Sequence, residues 1–148
     1  MAGATQFRYA VKMNVAFITS RLQEYFEAHS RGVVCVYVFG SVARGTARGR
    51  SDIDVAVLLE RDPPPTLAGS AVSLGGDLER YLGYPVDLVV LNRASVDLVH
   101  RVLRDGLLVF DPRPRERIQF EVRARNAYFD LKPFLDRYRK VARASSHG

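Results

Sequence analysis

At 148 residues with 47% hydrophobic content, the chain is long enough to bury a core and too apolar for a disordered tail. Its net charge of +6 makes a surface that attracts polyanions or an acidic partner, without choosing among nucleotide, nucleic acid and protein. No apolar run approaches a membrane span and the N-terminus has no signal-peptide core. The lone Cys35 excludes an intrachain disulfide, so a reducing, cytoplasmic setting is expected.

In chain order, Val11 to His29 places Val15, Ile18, Leu22, Tyr25 and Phe26 at helical spacing, with Gly32 as its stop. Val33–Phe39 reads as a strand with Cys35 buried and inert inside it, and Asp52–Leu59 as a second strand. Glu60 to Pro65 holds three prolines and must be a loop. Leu67 to Leu82 is a helix weakened by Gly75-Gly76 and closed by Gly83, followed by a strand at Pro85–Leu91. Ser95 caps a helix through Arg104 that Gly106 ends, and Leu107–Phe110 is a short edge strand. A long helix follows over about 115–143, which Pro133 should kink or break near Lys132, and Ala144–Gly148 should fray. Its Phe120, Tyr128, Phe129, Phe134 and Tyr138 are expected mostly in the core, with a subset left for a partner. Alternating strands and helices, without linker or repeat, predict one α/β (α+β) domain over residues 1–148.

The chemistry concentrates in Gly40 to Val57. Gly40-Ser41 is followed after ten residues by Asp52-x-Asp54 at the head of an apolar strand. A strand repeats every two residues, so Asp52 and Asp54 point to one face and form a chelate for a hard divalent cation such as Mg²⁺. The glycine turn lets backbone N–H groups approach phosphate oxygens. Together they suggest an enzyme acting on a nucleoside triphosphate. Arg44 suits a phosphate fork, and the loop residues Arg48 and Arg50 do so less well. Asp87, in an otherwise apolar strand, would be costly to bury alone, which favours a metal role. The three histidines share no ligand spacing, His100 reads as structural, and no P-loop string is present.

The string G-S-x-A-R-G then S-D-x-D, here Gly40, Ser41, Ala43, Arg44, Gly45, Ser51, Asp52 and Asp54, resembles the signature of the DNA polymerase β-type nucleotidyltransferases, and within them the minimal nucleotidyltransferases. The resemblance implies a small mixed sheet packed on helices. It implies Asp52, Asp54 and Asp87 as catalytic, metal-binding carboxylates for two Mg²⁺ ions, and Gly40, Ser41, Arg44 and Ser51 as nucleotide contacts. Minimal nucleotidyltransferases pair with HEPN-domain RNase toxins as antitoxins that move AMP from ATP to a toxin tyrosine. The segment Arg117–Arg139 is similar to the tail of that group, though less diagnostic. The expected partner is therefore a HEPN protein, with no membrane and no direct nucleic-acid substrate. An antitoxin acting by binding alone, or an enzyme modifying a small molecule such as an aminoglycoside, are the alternatives.

Overall fold

The computed structural model describes residues 14–47, 51–62 and 68–146. Helix α1, Val15–Ala28, begins where the Asn14 side chain accepts hydrogen bonds from the Ala16 and Phe17 amides, filling donors that a helix start leaves unpaired. Its Ile18, Leu22, Tyr25 and Phe26 fall on one stripe and are buried. Residues 11–13, which the spacing also assigned to this helix, lie outside the described residues.

Strand β1 is Val33–Phe39, followed by a one-turn helix α2, Gly40–Ala43, and strand β2, Ile53–Leu59. Helix α3, Ala68–Leu82, leads to β3, Val86–Val90, and a 3-10 turn at Leu91–Arg93. Helix α4, Val96–Asp105, opens with the Ser95 hydroxyl accepting from the Leu98 amide at 3.2 Å and closes at Gly106. Strand β4, Leu107–Phe110, precedes helix α5, Pro114–Ser145.

The sheet runs β3-β2-β1-β4, with β1 antiparallel to both β2 and β4, and β2 parallel to β3. It is the mixed sheet that the motif's resemblance implied. Both faces are covered, which is why β1 is apolar almost throughout. Val36, Val38, Ile53, Val55 and Val57 face α1 and Leu78 of α3. Tyr37, Ala56 and Leu58 face Leu91, Val99 and Val102, with Phe120 and Ala124 of α5 packed against them. Strand alternation then puts Asp54, two residues before Ala56, on the face that α4 and α5 share.

Of the kink or break expected at Pro133, the break does not occur: helix α5 runs through Pro133 to Ser145. Nor are its aromatics mostly core. No residue of α5 is fully buried, and Phe129, Phe134 and Tyr138 are exposed, because a small sheet can cover only the first part of so long a helix.

Candidate active site

The backbone leaves β1 extended at Phe39 and turns directly into α2. Gly40 makes the turn at φ +68°, where any Cβ is strained. A Cβ there would also strike the Asp54 carboxylate. Conformation and space both demand glycine. Val42 and Ala47, which are buried, pin the turn to the core. The Ser41 carbonyl accepts the Thr46 amide at 2.9 Å and the Ala47 amide at 3.1 Å, folding the loop back on itself. Arg44 closes α2 by donating its amide to the Gly40 carbonyl at 3.1 Å, and its exposed side chain stays available to an anion.

Strand register assembles the acids. Asp54 pairs with Phe39 on β1 and with Asp87 on β3. In-register parallel neighbours stand side by side on one face, and Asp52, just ahead of β2, is near enough for its charge to act on Asp54. Asp54 is half-buried, and burial first, then the charges of Asp87 and Asp52, raise its carboxyl above the ordinary value of 3.8, while Arg44 opposes them. The three predicted carboxylates and Arg44 are thus within electrostatic reach of one point. Asp87 is exposed, so the burial cost invoked for it does not arise. Its place in the site rests on the register with Asp54 instead.

Three mutually repelling carboxylates supply the hard oxygen donors that Mg²⁺ prefers. Among the described residues no three acidic, imidazole or thiolate groups already form a metal-holding group. Ser51 is half-buried immediately ahead of Asp52, while Arg48 and Arg50 lie outside the described residues. A cavity of about 520 Å³ lies at the far end of β2 among Leu59, Glu60, Asn92, Phe120 and Arg123, away from the Gly40 turn. Asp52 and Asp87 are exposed and Asp54 is half-buried.

The sequence reading missed Asp105. Leu107 pairs with Val38, so the end of α4 abuts the Phe39-Gly40 corner. Asp105 takes a two-point fork from Arg104, at 3.0 and 2.8 Å, which lowers its pKa, and it also feels Arg44. Only the β1–β4 pairing reveals this; the predicted helix end at Gly106 was the sole signal. His100 stacks flat on Tyr128 with ring centroids 3.5 Å apart, a packing role.

A family model described as polymerase beta, nucleotidyltransferase matches residues 20–115. A chain from a toxin–antitoxin crystallised with AMP-PNP superposes with a TM-score of 0.70 at 24% identity, over 88% of this chain and 98% of that one. A chain from the complex of tri-AMPylated Shewanella oneidensis HEPN toxin with MNT antitoxin gives 0.66 at 21% identity, over 90% and 99%. A chain assigned provisionally as a minimal nucleotidyltransferase is 34% identical over 64% of this chain and 95% of that one, with a TM-score of 0.55. No curated protein sequence matches. The first two likenesses are of fold. With the motif folded as its spacing requires and the match running from α1 through β4, the chain belongs to the polymerase β nucleotidyltransferase family.

Proposed function

We propose that this nucleotidyltransferase is an antitoxin that transfers AMP from ATP to a tyrosine of a HEPN-domain RNase toxin and neutralises it by that modification. The observation that carries the reading is Asp54 in register with Asp87 beside a turn where only Gly40 leaves the Asp54 carboxylate room. Similar chains come from toxin–antitoxin complexes, one with AMP-PNP and one with an AMPylated HEPN toxin, which supports ATP and a HEPN protein as substrate and partner.

In the reaction, the tyrosine oxygen bonds to the α-phosphorus as the bond to the α–β bridging oxygen breaks, and pyrophosphate leaves with that electron pair. Bound Mg²⁺ would neutralise the triphosphate and stabilise the entering and leaving oxygens. Asp52 and Asp54 would hold it, and Asp87 would complete the donor set or take the hydroxyl proton. Arg44 forks a phosphate, and Gly40, Ser41 and Ser51 line the triphosphate tail. An AMP group on the toxin adds bulk and negative charge where an RNA phosphate must sit.

The test is a HEPN protein co-expressed with this chain, incubated with Mg²⁺ and α-labelled ATP, then mapped by mass spectrometry. A labelled tyrosine is expected. A neutralised but unlabelled toxin would replace catalysis with binding.

A further inference from the structure

Along α5, Phe120, Ala124, Ala127, Leu131, Phe134, Tyr138 and Val141 alternate steps of four and three, the spacing of a heptad seam. Its first part is used by the chain itself. Phe120 and Ala124 pack on the core layer beneath, and Tyr37 donates to Glu121 at 2.6 Å, anchoring α5 to the sheet face that bears Asp54. The second part is tied to α4 by an ion pair, Arg139 to Asp97 at 3.3 Å, and by no buried side chain among the described residues. Phe134, Tyr138 and Val141 are 63%, 76% and 65% exposed. A face that is core upstream continues with large apolar side chains in the open.

Charge limits what can cover it. α5 holds nine arginines and lysines against four acidic residues, so +5 of the chain's net +6 lies on this helix. Between Leu131 and Ser145 the count is five basic to one acidic. A second copy laid along the same seam would bring those like charges together, whereas a helix with acidic flanks would complement them.

The helix also lies outside the catalytic unit. The family match stops at residue 115, where α5 begins. The minimal nucleotidyltransferase likeness, covering 64% of this chain and 95% of that one, is too short to hold both that region and α5. The chains from toxin–antitoxin complexes cover 88% and 90% of this chain, which requires part of α5.

We propose that Phe134, Tyr138 and Val141 form a docking seam for an amphipathic α-helix with acidic flanks, presented by the acceptor protein; this rests on the acceptor being a protein, as proposed above. The probe is a synthetic helix of roughly four heptads, with Leu at a and d and Glu at e and g, compared with a twin carrying Lys at e and g. Titrated onto the full chain by fluorescence anisotropy, the Glu peptide should bind at least ~10-fold tighter than its twin. Phe134→Ser/Tyr138→Ser should weaken it by at least ~10-fold while leaving Mg²⁺-ATP affinity and helical content unchanged. Equal binding of the two peptides, or binding indifferent to the variant, overturns the seam. So does a wild-type dimer in sedimentation that the same variant dissolves, since a second copy would then be the occupant. The readout uses neither ATP nor modification, so its failure leaves the AMP-transfer reading standing. Absence of labelling with peptide binding intact would instead sink that reading alone.

Discussion

Gly40 and Asp54 are fourteen positions apart in sequence and share one small space, so each constrains the other. Gly40→Ala should cost about 1–3 kcal/mol in urea unfolding, from the left-handed backbone and the displaced carboxylate, and should weaken Mg²⁺-ATP binding in calorimetry. Asp54 leads to a pH effect of definite sign. Burial and its acidic neighbours raise its folded pKa, so the folded chain keeps that proton to higher pH than the unfolded chain does. The resulting stability is complete below an ordinary carboxylate value of 3.8 and is lost as pH rises through the folded value. Asp54→Asn should therefore melt higher than wild type near neutral pH in EDTA, with the gap closing as the solution is acidified toward that value. A variant that melts at or below wild type at neutral pH would contradict this. Cys35 stays out of the chemistry: burial pushes its thiol up to about 12.

Among the elements, α5 is held at its first turns by a polar network rather than by deep burial. Glu121 accepts from the Tyr37 hydroxyl at 2.6 Å and from Arg117 at 3.0 Å, and Arg117 also donates to Asp111 at 2.9 Å. Tyr37→Phe removes a donor from a partly buried carboxylate and should cost about 1–3 kcal/mol, read from urea unfolding, with faster amide exchange at the start of α5. No sequence pattern announced this network, since its partners are up to 84 positions apart. Pro133 removes one backbone bond without ending α5. Pro133→Ala should restore one backbone bond and slow exchange in the last turns of α5, gaining up to about 3 kcal/mol locally. Unchanged exchange would mean those turns are already as stable as an uninterrupted helix.

For the whole molecule, legibility followed the range of the interactions. The glycine turn and the caps at Ser95 and Gly106 are local, and the sequence displays them directly. That β1 would sit between β2 and β4, and that Asp87 would stand beside Asp54, depends on strand pairing that no local pattern encodes. The exposure of Phe134 and Tyr138 likewise depends on where the sheet ends beneath α5, not on their type. What joins these scales is the proposed role of Asp52, Asp54 and Asp87 in nucleotidyl transfer. The most direct test is toxin neutralisation by Asp52→Asn/Asp54→Asn, produced with the proposed HEPN partner at wild-type level. The account predicts that this variant still folds, leaves the toxin unmodified and fails to suppress its RNase activity. Full suppression by the double variant would contradict it.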